Sequence, residues 1–473
     1  MGYLHGSETL NFERGGQTTP IVRSSVIALI GLAPIGAKDS LKVCLNPTDD
    51  AQFGKPVPGF NIPKTLEIIR AIAGNCPVLV VNVFDSTTNT TTVSLEAQTV
   101  TNGKLKLAFA PVGGAPSIFL NDGTTPATIV KDTDYTLDEY GNFKVISSAI
   151  SNSTIYKFTY KKIDASTVTS SQLIGTVNGT TNVRTGMKLF YTAFNSFGFN
   201  PKLLIAPTYS SISAIASELK TQATKFKGIT YLDEAVGTTK ATALTNRGVG
   251  ASSVFNTSDL RAELLFPWIK TYDTATEADG NYPYSAFMAG LRVKVDRDLG
   301  YWYSASNKEI SIATGIEQPV YWSINDEGSD ANALNAAGIT TIAQGYGTGI
   351  RTWGNRNASF PTSTSAKNFV SIQRIDDIVS ESMELAALKY IDQPITQALI
   401  DTIREDGNEL MRVLIQRGAL LPGSEVLYHP DDNPPSELAA GHITFERKYM
   451  GPTPAERITY KSVLDITLLN QFK

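Results

Sequence analysis

A few short stretches of this chain carry residue types that bind phosphates in other proteins. The glycines of residues 345–349 are spaced G-x-G-x-G, and residues 31–39 read GLAPIGAKD. A dinucleotide loop needs G-x-G-x-x-G between a strand and a helix, whereas these glycines lead into a predicted strand and favour a hairpin turn. In the second stretch Lys38 comes one position late for a phosphate loop, and Asp39 replaces the Ser or Thr that would bind magnesium. Neither pattern predicts a nucleotide site.

Residues that bind metal ions or transfer protons are sparse. A calcium loop beginning at Asp326 or Asp330 would lack the alternating oxygen ligands and the closing glutamate. The chain has 3 histidines, His5, His429 and His442, and none has a second histidine or a cysteine at ligand spacing. The chain also contains no G-x-S-x-G nucleophile elbow. The residues therefore predict no catalytic site, no metal ion and no cofactor.

The composition is that of an ordinary globular protein. The chain has 473 residues, 42% hydrophobic and 18% charged, enough for several domains with their own cores. The net charge is −4 and no basic block occurs, so we expect no nucleic-acid partner. The apolar run at residues 26–35 is short and contains a proline, so we expect no membrane insertion. Cys44 and Cys76 are predicted to be free thiols.

Hydrophobic periodicity predicts an α/β core. Residues 24–34 and 77–84 are continuous apolar runs typical of strands buried on both faces, and a helical pattern at 62–73 separates them. The alternation resumes after residue 201, with strands predicted at 202–207, 229–232 and 263–268 and helices at 212–226, 239–246 and 284–298. This order predicts a parallel sheet with helices on both sides.

The segment between the two parts of the core has a different composition. Residues 86–175 are rich in Thr, Ser, Asn and Gly, with short alternating runs and hairpin turns such as Asn102-Gly103. The segment predicts an inserted all-β domain, either a small barrel or a sandwich, which we expect on the outer surface.

Residues 319–356 have the clearest sequence of local signals. The predicted elements are a strand at 320–324, a helix at 331–337 capped by Ser329 or Asp330, a left-handed Gly338, and strands at 339–343 and 350–353.

The last quarter of the chain predicts helices followed by extended segments. Apolar spacing indicates one helix at 370–391 and a second that begins at Pro394. Residues 438–449 predict an edge strand, and residues 458–469 predict a strand-like tail without a local partner.

Two ordered sets of residues resemble the contractile phage tail-sheath protein family. The first set is Tyr321-Trp322, Gly328, Asp330-Ala331, Leu334-Asn335, Ala337-Gly338-Ile339-Thr340-Thr341, Gly347, Arg351 and Trp353-Gly354-Asn355-Arg356. The second set is Pro283, Ala289-Gly290, Asp298, Gly300, Trp302, Ser304, Ser306 and Asn307. The chain departs from the family pattern at Asn357, where threonine is common, and at Ala305, where proline is common.

The resemblance implies an α/β core domain of subtilisin-like topology, an inserted all-β domain, and an α+β C-terminal domain with extended terminal arms. The implied boundaries are an N-terminal arm that donates a strand at 1–20, the core domain at 21–85 and 176–358, the inserted outer domain at 86–175, the tube-facing C-terminal domain at 366–450, and a strand-donating C-terminal arm at 451–473.

The resemblance also implies a structural protein and not an enzyme. Such subunits polymerise as stacked hexameric rings in a helical sheath around a tail tube, and contraction drives the tube through the host envelope for genome ejection. The implied partners are further copies of the chain, the tail tube protein, and the baseplate and tail terminator proteins. The implied location is the virion tail, assembled in the cytoplasm of the host bacterium.

The resemblance assigns roles to three sets of residues. Candidate strand donors for strand exchange between subunits are Leu4, His5, Gly6, Glu8, Leu10, Ile458, Tyr460, Val463, Leu464, Ile466 and Leu468. Candidate hinges are Gly15, Gly16, Gly451 and Pro452. Candidate tube contacts are Asp401, Arg404, Glu405, Glu409 and Arg412, which lie on the polar face of a helix. Without the resemblance, that face would be interpreted only as a solvent-exposed surface.

Two other functions stay open. The sheath of a phage-tail-like bacteriocin, or of another contractile injection system, would use the same mechanism. A serine hydrolase, suggested by the core topology, would need a His–Asp–Ser set, yet the three histidines lie outside the predicted α/β core.

Overall fold

The computed structural model describes residues 23–472 apart from residues 249, 345, 346 and 348. The strands are β1 (Ile27–Gly31), β2 (Leu41–Cys44), β3 (Val78–Asn82), β4 (Thr90–Thr99), β5 (Lys104–Lys106), β6 (Ser117–Leu120), β7 (Tyr135–Leu137), β8 (Asn142–Val145), β9 (Ile155–Ile163), β10 (Leu203–Ile205), β11 (Ile229–Asp233), β12 (Ala262–Leu265), β13 (Ile269–Asp273), β14 (Ala278–Tyr282), β15 (Gly315–Ile316), β16 (Ile339–Gln344), β17 (Ile350–Trp353), β18 (Glu425–Leu427) and β19 (Glu446–Lys448). The α-helices are α1 (Pro47–Asp50), α2 (Ile62–Ala73), α3 (Ser170–Ile174), α4 (Ala193–Phe197), α5 (Ser213–Phe226), α6 (Lys240–Asn246), α7 (Tyr284–Asp298), α8 (Asp330–Ala336), α9 (Val370–Ala387), α10 (Gln397–Gln416) and α11 (Pro435–Ala439).

The described chain divides into two compact units. The core unit comprises residues 23–375 together with 453–472, and the C-terminal unit comprises residues 376–452.

An eight-stranded sheet forms the centre of the core unit, in the order β17-β16-β12-β11-β10-β1-β3-β2. The six inner strands run parallel, whereas β17 and β2 pair antiparallel at the two edges. The predicted parallel sheet is therefore confirmed. Because parallel strands need crossover connections, helices cover both faces, and the inner strands are buried and mostly apolar.

Alternate residues of the inner strands enter two hydrophobic cores, one on each face of the sheet. In β1, Ile27 packs in the core that contains α2 and α7, and Ala28 packs in the core that contains α5. Gly290 lets α7 approach α2 closely, because an added Cβ would lie 3.2 Å from the Ile69 Cα.

The inserted segment folds as two three-stranded antiparallel sheets, β4-β9-β6 and β5-β8-β7. Both contribute to one core, in which Tyr135 stacks on Phe143 with ring centroids 4.3 Å apart and Phe158 meets Phe143 edge to face. Of the two predicted forms, the segment therefore adopts the sandwich, and a closed barrel is wrong.

The stretch with the clearest local signals mostly folds as predicted. Ser329 caps α8 by accepting a hydrogen bond from the Asn332 N–H, and Gly338 ends the helix with φ of +78°. The predicted hairpin of β16 and β17 forms.

The predicted strand at 320–324 is wrong, and of the edge strand predicted at 438–449 only Glu446–Lys448 forms. The strand-like tail predicted at 458–469 forms no strand with the described chain. Residues 320–324 are irregular, because the Tyr321 N–H donates to the Asp330 carboxylate at 3.0 Å and Trp322 packs edge to face on Trp353. Residues 458–465 form no strand, and Ile466–Phe472 is a 3-10 helix. A strand needs a neighbour for its backbone hydrogen bonds, and the tail pairs with no strand of the described chain.

A buried ionic cluster in the core unit depends on Asp296. Its side chain is 1% exposed and accepts hydrogen bonds from Arg292 at 3.0 Å, Arg374 at 2.6 Å and Ser25 at 2.8 Å. Burial alone would raise the pKa of Asp296, but the two arginines outweigh that effect and lower it. One carboxylate thus compensates two buried guanidinium groups.

We predict that Asp296→Asn destabilises the core unit by about 3–5 kcal/mol, because it removes the negative charge of the buried carboxylate that contacts both Arg292 and Arg374. The melting temperature measured by calorimetry should fall by at least about 5 °C. Asp298→Asn is the control, because Asp298 pairs with Arg297 on the surface and that pair contributes little. Equal melting temperatures for the two variants would contradict this role of Asp296.

Candidate functional site

An apolar groove of about 290 Å³ opens in the C-terminal unit. Residues of α9, of α10 and of the β18–β19 sheet line it: Ser380, Met383, Glu384, Ala386, Ala387, Tyr390, Ile403, Asp406, Gly407, Leu410, Val426, Phe445 and Arg447. Such a groove accommodates the apolar side chains of an extended or helical segment.

The groove is held open by close docking of β18 on α10. Gly407 permits the approach, because an added Cβ would lie 3.0 Å from a methyl group of Val426. The Asn408 carboxamide then accepts from the Val426 N–H at 2.8 Å and donates to the Val426 carbonyl at 3.1 Å. One side chain thereby satisfies both backbone polar groups of the middle residue of β18.

The same contact decides which edge of the small sheet can accept another strand. Val426 lies opposite Arg447 of β19, and its backbone groups bond Asn408, so they point away from β19. The outer edge of β18 is therefore closed at its centre. Within the part of the chain that the structure describes, β19 pairs only with β18, so its other edge is open.

Polar contacts fix the ends of the groove. Asp406 pairs with Lys389 at 2.6 Å and accepts a hydrogen bond from the Tyr390 hydroxyl. Burial alone would raise the pKa of Asp406, but these two hydrogen bonds lower it. Tyr449, just after β19, donates to Asp376, and burial followed by this hydrogen bond raises the pKa of Tyr449. The contacts tie the sheet and the α9–α10 turn to the helices.

The C-terminal tail of the core unit presents apolar side chains to solvent. The candidate strand donors among them are exposed without exception, with Val463 at 86% and Leu464 at 94%, and the others are Ile458, Tyr460, Ile466 and Leu468. A run of exposed apolar side chains of this size is typical of a surface that another chain covers. The donors Leu4, His5, Gly6, Glu8 and Leu10 and the hinges Gly15 and Gly16 lie outside the described residues.

The candidate tube contacts lie along α10. Arg404 pairs with Asp401 at 3.1 Å and Arg412 with Glu405 at 2.7 Å, while Glu409 is exposed. Pairing within the set leaves a polar face with both signs of charge. Of the remaining candidate hinges, Gly451 is buried and Pro452 partly exposed.

The crevice where α/β sheets often bind ligands is filled by protein. It lies at the carboxyl ends of β1 and β10, where the strand order reverses. The Asn61 carboxamide accepts from the Leu32 N–H at 2.7 Å and donates to the Pro207 carbonyl at 2.6 Å, so it bridges the two strand ends. Lys38, in the stretch that resembles a phosphate loop, pairs with Asp85 at 2.8 Å.

Among the residues that the structure describes, the groups that a hydrolase would need are not assembled. Asp233 accepts hydrogen bonds from the Ser210 hydroxyl at 3.0 Å and from the Ser285 N–H at 2.8 Å, and burial raises its pKa to about 6. This contact joins β11 to the start of α7. His429 and His442 belong to the C-terminal unit, where each pairs with a glutamate on the surface.

The described residues lack two other kinds of feature. They contain no group of three or more His, Cys, Asp or Glu side chains arranged to hold a metal ion. None of their helices is long and apolar enough to cross a membrane.

Comparisons with known proteins agree with this arrangement. The model of the phage tail sheath protein central domain matches residues 182–358. The chain is 40% identical over 465 residues to the tail sheath protein of Burkholderia phage BcepMu. The alignment covers 97% of this chain and 96% of that protein. The chain belongs to the phage tail sheath family. Its relatives are structural proteins of the virion tail, and this sheath protein is likewise a structural tail component.

Other relatives extend the comparison. The sheath protein is 33% identical over 293 residues to a putative prophage major tail sheath protein of Pseudomonas aeruginosa. The alignment covers 62% of this chain and 72% of the relative. In fold it resembles the helical sheath of the anti-feeding prophage in its contracted state, with a TM-score of 0.58, 14% identity, and coverage of 98% of this chain and all of that one. The fold with mixed α/β sheets is thus that of contractile sheaths.

Sequence reasoning missed the groove and the role of Asn408. The apolar spacing of α10 indicated that Leu410 is buried, and it is. Nothing in the spacing distinguishes a residue that packs inside a unit from one that lines an open groove. Asn408 reads as one more polar residue of an amphipathic helix until β18 is seen beside it.

We predict that Asn408→Ala destabilises the C-terminal unit by about 1–3 kcal/mol, because two backbone groups of a buried residue lose their partner. Thermal unfolding followed by circular dichroism should show a lower melting temperature. Gln416→Ala removes an exposed amide from the same helix and should change the stability by less than about 0.5 kcal/mol. A matching loss in both variants would rule out a special role for Asn408.

Proposed function

We propose that this protein is the subunit of a contractile sheath in which copies are linked by strand exchange. The single observation that carries the proposal is that two features of the chain complement each other. One is the exposed apolar tail at residues 458–469, and the other is the open strand edge beside an apolar groove in the C-terminal unit. The tail of one copy lacks a strand to pair with, and the β19 edge of a second copy provides it.

The proposed contact is strand addition at the open edge of β19. The tail of one copy pairs its backbone with β19 of another, and side chains on one face of the added strand, such as Tyr460 and Leu464, pack into the groove that Phe445 and Arg447 border. Pairing over about five residues contributes roughly 3–8 kcal/mol at ~0.5–1.5 kcal/mol per hydrogen bond, before the cost of ordering the tail. One such arm is marginal, and many in a lattice are cooperative.

The N-terminal segment is proposed as the second arm, through Leu4, His5, Gly6, Glu8 and Leu10, with Gly15 and Gly16 as its hinge. With two arms per subunit, stacked hexameric rings form a continuous mesh. Gly451 and Pro452 are the proposed hinge at the other end. In such a mesh, rigid units rearrange during contraction while the arms stay paired.

The proposed partners are other copies of this chain, a tail tube protein, and baseplate and tail terminator proteins. The α10 residues Asp401, Arg404, Glu405, Glu409 and Arg412 are the proposed tube contacts, because they form an exposed polar helix face. The proposed domain boundaries at 20, 85, 175, 358 and 450 and the subtilisin-like topology of the core also rest on the family resemblance.

A second candidate function is the sheath of a phage-tail-like bacteriocin or another contractile injection system. It is supported by the fold of the anti-feeding prophage sheath, which this chain resembles over nearly its whole length. The proposed contacts are the same in both kinds of particle. A serine hydrolase has no such support, since the Ser–Asp contact in the core unit ties β11 to α7.

Deletion of residues 458–473 should abolish long sheaths and leave a folded subunit, because residues 458–469 are exposed and support no core. Electron microscopy and size-exclusion chromatography measure the two effects. Deletion of residues 1–12 should have the same result. Normal polymers from either truncated chain would contradict the proposed mesh.

Met383→Asp should block assembly without unfolding the subunit, because a carboxylate in the apolar groove opposes burial of the incoming side chains. We expect the concentration needed for polymerisation to rise at least about tenfold. Leu388→Asp adds the same charge at an exposed position outside the groove and should polymerise like the unchanged chain. Equal polymerisation of the two variants would show that the groove is not the docking surface.

A further inference from the structure

The last part of the chain is anchored to the core unit just before the exposed tail begins. Glu456 accepts two hydrogen bonds from the Arg356 guanidinium, one from Nε to Oε1 at 3.1 Å and one from Nη2 to Oε2. Arg457 pairs with Glu327 at 3.0 Å, but both side chains are 79% exposed, so this pair contributes little. From residue 458 to 469 every side chain is exposed. The change from anchored to exposed chain is therefore abrupt.

Arg356 is held in place by contacts of its own. Its Nη1 donates to the Asn368 carboxamide, and Asn368 is buried. The guanidinium carbon lies 3.6 Å from the ring centroid of Phe369 and 4.7 Å from that of Phe360. A guanidinium fixed in this way loses little freedom on binding a carboxylate, and its two parallel bonds set the direction of the bound chain.

Two glycines allow close backbone packing beside this contact. Gly338 and Gly354 have φ of +78° and +141°. An added Cβ would lie 2.4 Å from the Phe360 carbonyl oxygen at Gly338, and 2.8 Å from the Thr340 Cα at Gly354. Both glycines line the same small hollow as Arg356 and Glu456. Residues that carried the family resemblance thus meet at the root of the tail.

We propose that Arg356 is the anchor of the C-terminal arm: its pairing with Glu456 fixes where the arm leaves the core unit and makes the Arg457–Ile458 bond the pivot. The proposal rests on the function proposed above, in which residues 458–469 pair with another copy. Gly451 and Pro452 then have a separate role, because they precede the anchor and lie where the chain passes from the C-terminal unit to residue 453 of the core unit.

A fixed root has a mechanical consequence for a polymer. An arm that is bound to a neighbour pulls on Glu456, and the double hydrogen bond passes that load to Arg356 and through its neighbours to β16 and β17. Without the anchor, the load falls on the chain that leads back to Gly451. The anchor thus keeps the length of free arm between subunits constant.

Limited trypsin digestion tests the anchor in the full chain, kept below the concentration at which it polymerises. Cleavage after Lys461 reports the exposed arm, and cleavage after Arg457 reports the root. Arg356→Gln leaves residues 453–473 unchanged, so it alters only their anchoring. We expect the rate ratio of the Arg457 cut to the Lys461 cut to rise about fivefold, measured by mass spectrometry of the peptides 458–473 and 462–473.

Two further variants complete the test. Glu327→Gln removes only the exposed partner of Arg457 and should change the ratio less than twofold. Glu456→Gln should raise the rate ratio as Arg356→Gln does. Because the Glu456 side chain is 45% exposed, we expect this variant to fold even if Arg356→Gln does not. An unchanged ratio in Glu456→Gln, or an equal rise in Glu327→Gln, would overturn the anchor. Digestion reports anchoring in single subunits, whereas microscopy of the truncated chains reports assembly, so each hypothesis can fail without the other.

Discussion

A strand without a partner is the constraint on which this structure depends. Backbone N–H and C=O groups and apolar side chains both gain from being covered. Residues 458–465 pair with no strand of the described chain, and the apolar side chains of residues 458–469 are exposed. The C-terminal unit has the complementary need, with an open edge at β19 beside an apolar groove. In the proposed assembly, a second copy of the chain meets both needs.

The rest of the molecule keeps these two features in fixed positions. The core unit is stiffened by a sheet with apolar packing on both faces and by the buried contact of Asp296 with two arginines. In the C-terminal unit, Asn408 and Gly407 hold β18 on α10, which leaves β19 as the edge for an incoming strand. Rigid units joined by anchored arms satisfy the main requirement of a sheath, since they can change packing without losing connection.

The core fold could be predicted from sequence because its signals are local and repeated. Apolar runs such as 77–84 indicate buried strands, and the cap Ser329 marks where α8 begins. Residues 320–324 alternate like a strand, but the Tyr321 N–H donates to the Asp330 carboxylate instead of to a neighbouring strand. The spacing of residues in the sequence does not reveal this contact. The tail at 458–469 has the composition of a strand and lacks only the neighbour.

The candidate site was less predictable, because it depends on residues that are distant in sequence. Arg356 and Glu456 are 100 positions apart, and the first was recognised only as part of a family motif. Asn408 and Val426 meet only after α10 and β18 have docked. Side chains of this kind look like ordinary polar residues until the fold brings their partners close.

The most direct test of the account is a cryo-electron microscopy reconstruction of the polymer that the full chain forms. We predict that residues 458–469 of one copy lie beside Glu446–Lys448 of another, as an added strand on the open edge of β19, with apolar side chains in the groove between α9 and α10. A polymer in which this segment folds back on its own subunit, or in which the β19 edge stays unpaired, would contradict the account.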